Sequence, residues 1–395
     1  MFKAVNAFIF AGSFSIGVMK AGFNLDRVLE ISDTQPQENA FYFIKNYPDI
    51  PVVLPSEWEN DEYLTNLKDV DLMCCNCPCS SLSQINRNAS VDGKNNVHFY
   101  RLFNIFNKVK PKVFVIENAP TLIKLGFPIL KDMVNKLPDY NFTIIRDYAG
   151  NHNVAMKRMR TLVAGWNKSN FSKLPHVLQD SHPIVNVYNT LSDLYDDTTD
   201  DFRTRTCDDI KELYKYAIPG KGLMTSLALR VIQNEYVDDI YAKIGKHKHD
   251  LERIIKKINA KENYWDKSPY KLEDDKHFPS FASVVEYLHP HQDRSLNLKE
   301  LARIMNYPDT YDFTDPNHEC KIPVTQAMAQ GVPANFGYYI ANQVKLALEN
   351  KLDYYDTGEI VFQQHVVHKY KTFSKEEFLQ LNELDVDKTY SKLTN

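Results

Sequence analysis

The chain has 395 residues, of which 43% are hydrophobic and 25% are charged, and its formal net charge is -4. This length suits one large domain with a smaller one, and the acidic balance excludes binding of polyanions through a uniformly basic surface. The six cysteines are mostly clustered, which indicates a reducing, cytoplasmic setting. The apolar start at Ala4–Ala11 is too short and too lightly charged for a signal peptide, and no run reaches membrane-spanning length. We expect a monomer with no membrane partner.

From Ala4 to about residue 170, short apolar runs alternate with helical patterns. Strands are predicted at 6–11, 27–31, 52–54, 70–75, 113–116, 142–146 and 160–164, and helices at 16–21, 39–45, 98–107 and 128–137. This alternation is typical of parallel β-α-β units, so the predicted fold class is α/β, with a Rossmann-like, mostly parallel sheet flanked by helices. Such sheets carry their chemistry beyond the carboxyl ends of the strands, where Gly12, Glu30, Cys79 and Glu117 lie.

The segment from Asp71 to Ser83 carries four of the six cysteines where an apolar run breaks into a polar loop: Cys74, Cys75, Cys77 and Cys79. These four could belong to a zinc site completed by Cys207, Cys320 or histidines. However, paired C-x-x-C knuckles are missing, and neighbouring strand residues point to opposite faces. We favour catalysis without a metal. In this interpretation the Cys79 thiol is fixed in position and accessible to a substrate, and the other three cysteines line a core or pocket.

A second apolar run, 113–116, ends in Glu117-Asn118. A nucleophile and a proton donor on neighbouring strand ends form an arrangement suited to covalent catalysis. The alternative for Glu117 is an ordinary cap of a surface strand. Downstream, Arg158 and Arg160 lie at the start of a predicted strand. Either their planar guanidinium groups bind a ligand, or they belong to an exposed, salt-bridged strand.

Between 186 and 279 the pattern changes to acidic loops, helices and many tyrosines. Residues 243–261 predict an amphipathic helix with one basic face, although charge alone favours a solvated face over a nucleic-acid surface. Further helices are predicted at 298–305, 334–348 and 374–381, the last one followed by a frayed tail.

The order of several short motifs resembles that of the C5-cytosine DNA methyltransferase family. Phe10-Ala11-Gly12-Ser13 is similar to the family's cofactor loop, and Pro78-Cys79 is similar to its nucleophile loop. Glu117-Asn118, Arg158-Met159-Arg160 and Gly331-Val332-Pro333 are similar to its E-N, arginine and final blocks. The resemblance implies a class I methyltransferase fold, divided into a catalytic and cofactor domain at 1–185, a target-recognition region at 186–293, a return segment at 294–350 and a C-terminal extension at 351–395.

The resemblance also implies roles for individual residues. Cys79 would add as a thiolate to C6 of a cytosine turned out of the DNA stack, and Glu117 would share a proton with N3 of that base. Arg158 and Arg160 would fix the flipped nucleotide through its phosphate and base oxygen. Activated C5 would then take the methyl group of S-adenosylmethionine.

The remaining residues that the resemblance assigns bind the cofactor or the DNA. The cofactor set is Phe10, Ala11, Gly12, Ser13, Glu30, Pro78 and Gln330, and the DNA set is Ser83, Arg87 and Lys157. The expected partner is double-stranded DNA, with RNA also possible, in the cytoplasm of a bacterium or a phage-infected host.

Several positions depart from the family pattern. Phe8 stands where an acid is usual, Ser13-Phe14-Ser15 replaces a glycine pair, and Gln330 replaces asparagine. These departures keep two alternatives open. One is a DNA-binding protein that has lost the cofactor, and the other is an enzyme that uses a modified sulfonium cofactor.

Overall fold

The computed structural model describes residues 1–33, 40–83, 86, 88–179, 182–183, 185–197, 208–282, 285–315, 317, 319–320, 322–365 and 369–384. The strands are β1 Lys3–Ala7, β2 Asn24–Leu29, β3 Val52–Val53, β4 Leu72–Asn76, β5 Val113–Asn118, β6 Tyr140–Tyr148, β7 Met159–Asn167, β8 Tyr270–Lys271, β9 Tyr287–Leu288, β10 Ile360–Gln364 and β11 Lys369–Phe373. The helices are α1 Ser13–Lys20, α2 Phe41–Asn46, α3 Pro55–Trp58, α4 Asp61–Asn66, α5 Val97–Val109, α6 Phe127–Lys136, α7 Val187–Leu191, α8 Leu223–Ile232, α9 Val237–Lys243, α10 Lys248–Asn259, α11 Leu298–Ile304, α12 Val324–Gln330, α13 Ala334–Leu348 and α14 Lys375–Gln380.

One large sheet organises the molecule, with the strand order β11-β10-β6-β7-β5-β4-β1-β2-β3. The pairs β1–β2, β1–β4, β2–β3, β4–β5 and β6–β10 are parallel, and β7 runs antiparallel between β5 and β6. Apolar cores cover both faces of this sheet, as expected for parallel strands that carry near-continuous apolar runs. The predicted mostly parallel α/β fold is confirmed.

The last two strands of the sheet were not predicted from the sequence. β10 pairs in parallel with β6, and β11 pairs antiparallel with β10 at the edge. β11 is polar and largely exposed, as edge strands commonly are, so it carries no apolar alternation. β10 has only three apolar residues before two buried glutamines. The residues after 350 therefore extend the main sheet, in addition to forming the predicted helix.

The prediction that the first strand reaches residue 11 was wrong. β1 ends at Ala7 because Phe8 and Phe10 both adopt left-handed backbone, with φ of 62° and 52°. Gly12 follows with φ of 82°. Such angles are uncommon outside glycine, and they turn 8–12 into a tight loop that leads directly into α1.

The packing of α1 against α13 depends on glycines. A Cβ atom on Gly17 would lie 2.3 Å from the backbone nitrogen of Tyr338 and 2.4 Å from the carbonyl oxygen of Ala334. A Cβ on Gly337 would meet the ring of Phe14 at 2.6 Å. Both helices bury their facing sides in the same core, so the two backbones approach closely at these points.

We expect Gly17→Ala to lower the free energy of unfolding by about 1–3 kcal/mol, the usual cost of overpacking, despite a gain in helix propensity of up to about 1 kcal/mol. Urea denaturation measures the change. The matched control is Gly150→Ala, where the added Cβ has its nearest neighbour at 3.4 Å. Equal stability of the two variants would contradict this account of the α1–α13 contact.

A separate apolar core forms in the middle of the chain. Side chains from 210–258 and Leu288 build it, mostly from α8, α9 and α10. The helix predicted over 243–261 corresponds to α10, which begins only at Lys248, because a 3-10 turn at Gly245–His247 separates it from the end of α9 at Lys243. Ion pairs within α10 link Lys248 to Glu252 at 3.9 Å and Arg253 to Asp250 at 3.4 Å, so acidic neighbours offset part of its basic face.

Candidate active site

The predicted nucleophile loop, residues 77–83, begins where β4 ends. The thiols of Cys74, Cys75 and Cys77 are buried, whereas Cys79 is partly exposed. A turn follows, in which the backbone N–H of Leu82 donates to the carbonyl oxygen of Cys79 at 2.9 Å. Cys79 is thus the cysteine of this segment that a substrate can reach, at the carboxyl edge of the sheet where parallel folds place their chemistry.

Two asparagines tie the ends of β4 and β5 together. Nδ2 of Asn76 donates to Oε2 of Glu117 at 3.1 Å, and Nδ2 of Asn118 donates to the carbonyl oxygen of Cys77 at 3.0 Å. Both asparagines are buried. The first bond fixes the carboxylate of Glu117, and the second fixes the backbone two residues before Cys79. Neither asparagine was predicted to have a separate role, because asparagine at a strand end is common and only the pairing of β4 with β5 brings these groups together.

Of the two predicted arginines, Arg160 lies in β7 and Arg158 directly precedes that strand. Nε of Arg160 lies 2.7 Å from Oε1 of Glu117. Arg158 is 3% exposed, and its guanidinium donates to the carbonyl oxygens of Phe281 at 2.9 Å and Ala329 at 2.6 Å. Nε of Arg158 has no partner among the described residues. The exposed, salt-bridged strand considered for these arginines is therefore wrong, because Arg158 is buried and Arg160 pairs with the buried Glu117.

Charged neighbours act on the Cys79 thiol in opposite directions. Burial raises the pKa of Cys79, and the Glu117 carboxylate raises it further, whereas Arg160 and Arg158 lower it. The net shift is upward, so the free protein holds Cys79 mainly as a thiol at neutral pH. The arginines supply the positive charge that favours the reactive thiolate.

We expect alkylation of Cys79 by iodoacetamide to accelerate about tenfold per pH unit from pH 7 to 9, because the reactive thiolate is a small fraction below a raised pKa. Mass spectrometry of the peptide that contains Cys79 measures the rate. In the denatured chain, which lacks the burial, the rate should level off at lower pH. A plateau below pH 8 in the folded protein would contradict the raised pKa.

The cofactor loop predicted at Phe10, Ala11, Gly12 and Ser13 lies between β1 and α1. Its turn is closed by the N–H of Gly12, which donates to the carbonyl oxygen of Ile9 at 2.9 Å, and by the hydroxyl of Tyr311, which donates to the carbonyl oxygen of Ala11 at 2.8 Å. A Cβ on Gly12 would lie 2.3 Å from the ring of Phe43. This position therefore requires glycine for space as well as for its backbone angle.

Two further predicted cofactor residues, Glu30 and Gln330, lie at the ends of β2 and α12. Glu30 directly follows β2, is fully buried, and accepts from the N–H of Ile31 at 2.6 Å. Gln330 ends α12, and its Oε1 is buried with no partner among the described residues; the same holds for Oδ1 of Asn6 on β1. Buried polar atoms normally have hydrogen-bond partners, so the two oxygens of Gln330 and Asn6 fit a site that binds a polar ligand.

The departures at Phe8 and Phe14 place both aromatic rings in apolar cores. Phe8 packs edge-on to His98 with ring centroids 5.8 Å apart, in the core on the other face of the sheet. Phe14 is buried against Gly337 of α13.

The predicted DNA-binding residues have separate positions. Lys157 is exposed next to Arg158, and its N–H donates to the carbonyl oxygen of Phe278 at 3.0 Å. Ser83 is partly buried at the end of the nucleophile loop. Pro78, assigned to the cofactor, is also partly buried there. Arg87 lies outside the described residues.

In the part of the chain that the structure describes, no group of three or more histidine, cysteine, aspartate or glutamate side chains is placed to hold a metal ion. Cys207, considered for a zinc site, falls outside that part. Among the described helices, none is long and apolar enough to cross a membrane.

A family model for C-5 cytosine-specific DNA methylases matches residues 2–346. The chain belongs to this family. The resemblance drawn from the motifs is thereby confirmed. Similar relatives of this methylase are the type II methyltransferases M.FnuDI of Fusobacterium nucleatum, 24% identical over 88% of this chain and 96% of the relative, and M.Sau96I of Staphylococcus aureus, 25% identical over 79% and 69%.

Solved structures share the fold of this methylase. A DNA modification methyltransferase encoded within a prophage (E. coli) superimposes with a TM-score of 0.58 and 17% identity, over 89% of this chain and all 100% of that one. The Entamoeba histolytica methyltransferase EhMeth superimposes with a TM-score of 0.51 and 13% identity, over 89% and 98%.

Proposed function

We propose that this methylase uses S-adenosylmethionine to methylate C5 of cytosine in duplex DNA, with Cys79 as its nucleophile. The observation that carries the proposal is the partly exposed Cys79 thiol at the carboxyl edge of the sheet, under the charges of Glu117, Arg158 and Arg160. Cytosine C5 is a weak nucleophile, so the reaction needs a group that adds to the ring first.

In the proposed reaction the Cys79 thiolate forms a bond to C6 of the base. The electron pair of the C5–C6 double bond shifts to form a C4–C5 double bond while the C4–N3 pair moves onto N3, which makes C5 enamine-like. Glu117, fixed by Asn76 and Arg160, shares a proton with N3 and so stabilises the charge that enters the ring. After C5 has gained the methyl group, loss of its proton and of the C6–S bond restores the aromatic ring and frees Cys79.

The cofactor, when bound, supplies an electrophilic methyl group to C5. We assign its binding to the loop from Phe10 to Ser13 together with Glu30, Pro78 and Gln330. The N-terminus of α1 directly follows the loop, and the N-terminus of a helix favours a carboxylate such as that of the cofactor. Glu30 lies where acids of nucleotide-binding folds accept from ribose hydroxyls, and the partnerless Oε1 of Gln330 and Oδ1 of Asn6 support a polar ligand.

A base within a duplex cannot reach Cys79, so the target cytosine must leave the stack at a cost of a few kcal/mol. We assign target recognition to residues 186–293, whose separate core lies in the middle of the chain. Lys157 connects this region to the arginines, because it directly precedes Arg158 and its backbone N–H donates to the carbonyl oxygen of Phe278. Ser83 and Arg87 belong to the loop that we expect to approach the gap left by the base.

Mass spectrometry of nucleosides tests the proposal. DNA from cells that express the chain should contain 5-methyldeoxycytidine, whereas DNA from cells that express Cys79→Ser should not. A heavier adduct at C5 would instead indicate a modified sulfonium cofactor, and 5-methylcytidine confined to RNA would replace the DNA substrate. Unmodified nucleosides in both pools, from folded protein, would overturn the proposed activity.

A further inference from the structure

A buried carboxylate, Asp147, lies at the carboxyl end of β6 and faces two histidines. Nε2 of His152 is 2.7 Å from its Oδ2, and Nδ1 of His365 is 2.8 Å from the same atom. Its Oδ1 accepts from the N–H of Tyr148 and from Nδ2 of Asn151, both at 2.7 Å. The side chains of Asp147, His152 and His365 are at most 4% exposed. The family motifs assign no role to this cluster, which we call the Asp147 cluster.

His365 comes from a part of the chain beyond the family match, which ends at residue 346. It directly follows β10, whose parallel pairing with β6 places Gln364 beside Arg146. Nε2 of His365 lies 3.0 Å from Oε1 of Gln363. The Gln363 amide is oriented by its Nε2, which donates to the Tyr355 hydroxyl at 2.6 Å. Both ring nitrogens of His365 therefore have polar partners, which orient the imidazole ring.

Hydrogen bonds in the Asp147 cluster stabilise the ionised form of Asp147. Burial raises the pKa of Asp147, but hydrogen bonds from His152 and His365 outweigh it and hold that pKa well below its usual range. Such hydrogen bonds replace the hydration that a buried carboxylate loses. His152 also stacks on the ring of Tyr339 from α13, with centroids 3.9 Å apart. The cluster thus joins β6, β10 and α13 around a single negative charge.

The same carboxylate anchors the segment that carries the arginines. Asp147 is the register partner of Arg160 on the adjacent strand β7, so the two residues stand side by side at the end of the hairpin. The loop between β6 and β7 is closed by the N–H of Ala149, which donates to the carbonyl oxygen of Arg158 at 2.9 Å. Asn151 and His152, both in this loop, bind Asp147 directly.

We propose that His365 is a positioning residue for the methyl-transfer site. Together with His152 it holds Asp147, and Asp147 fixes the loop at 149–158 that sets Arg158 and Arg160 against Glu117 and Cys79. The C-terminal strand β10 is accordingly part of the catalytic apparatus. The expected effect of His365 on kcat rests on the proposed function.

Two substitutions at His365 separate positioning from folding. Asparagine can place an N–H donor near the site of Nδ1, whereas alanine removes it. We expect His365→Ala to lower kcat about 10- to 100-fold, the range that follows from a misplacement of catalytic groups by about 1 Å. The Kd of S-adenosylmethionine should stay within about twofold. His365→Asn should recover most of the lost kcat. The control is Lys369→Ala on the exposed edge strand β11, which should match the wild type.

Two results would overturn the inference. One is a kcat of His365→Ala equal to that of the wild type. The other is a parallel loss of cofactor affinity and thermal stability that asparagine does not recover, which would show a purely structural role.

Amide hydrogen exchange of 149–158 separates this inference from the proposed function. If the wild type methylates nothing, the proposed function fails, but the exchange measurement still applies. Exchange of this loop that is at least tenfold faster in His365→Ala than in His365→Asn supports positioning. Equal protection in both variants and the wild type overturns it.

Discussion

Cys79→Ser is expected to lower the rate of methyl transfer by about 10⁴-fold or more, a loss typical of removing a catalytic nucleophile. A serine hydroxyl stays protonated at neutral pH and adds poorly to C6, whereas a thiol ionises far more readily, even though burial raises the pKa of Cys79. Single-turnover transfer from labelled S-adenosylmethionine to cytosine-containing DNA measures the rate. Cofactor affinity should change little, because serine is close to cysteine in size and leaves the neighbouring Pro78 in place, and the other assigned cofactor residues lie elsewhere in the chain.

The control for this substitution is Cys320→Ser, at a partly exposed cysteine outside the nucleophile loop. It removes a thiol of similar exposure and should leave the rate within about twofold. Transfer by Cys79→Ser at more than about 1% of the wild-type rate would rule out the assigned nucleophile.

Glu117→Gln is expected to reduce kcat by about 10²- to 10⁴-fold, the range of general acid–base contributions. Glutamine has nearly the same shape and can still accept the hydrogen bond from Asn76, but it cannot share a proton with N3 in the same way. It also loses the ion pair with Arg160 at 2.7 Å. Steady-state kinetics with duplex DNA should show the loss in kcat, with little change in the KM for the cofactor.

The control variant is Glu59→Gln, which removes a largely exposed carboxylate paired with Arg101 at 2.7 Å. Exposed ion pairs contribute little, so its kcat should stay near that of the wild type. If Glu117→Gln behaved in the same way, the carboxylate would be a structural partner of Arg160 and not the proton donor.

The central strands were predictable from the sequence because buried parallel strands consist of apolar runs between helices. Cys79 and Glu117 could be found because each follows such a run. The left-handed backbone at Phe8 and Phe10 could not be predicted, since phenylalanine rarely adopts it. The edge strand β11 was missed for a different reason, because an exposed polar strand has no apolar pattern.

The hydrogen bonds that support the site could not be predicted from the sequence, because they join residues that are far apart along the chain. The Asn118–Cys77 bond spans 41 residues, and the His365–Asp147 contact spans 218. A histidine after a short apolar run carries no sign of its partner. Only the parallel pairing of β10 with β6 brings it to the carboxyl edge.

Trapping with 5-fluorocytosine tests most directly whether Cys79 bonds to the base. A fluorine at C5 cannot leave as a proton does, so an enzyme that has added to C6 and transferred the methyl group stays covalently attached. Because the target sequence is not needed in advance, long duplexes with 5-fluorocytosine at random positions serve as substrate, together with S-adenosylmethionine. We predict a protein–DNA adduct that survives denaturation, with the base mapped to the Cys79 peptide by mass spectrometry. Attachment at any other residue, or no adduct from protein that methylates ordinary DNA, would contradict the account.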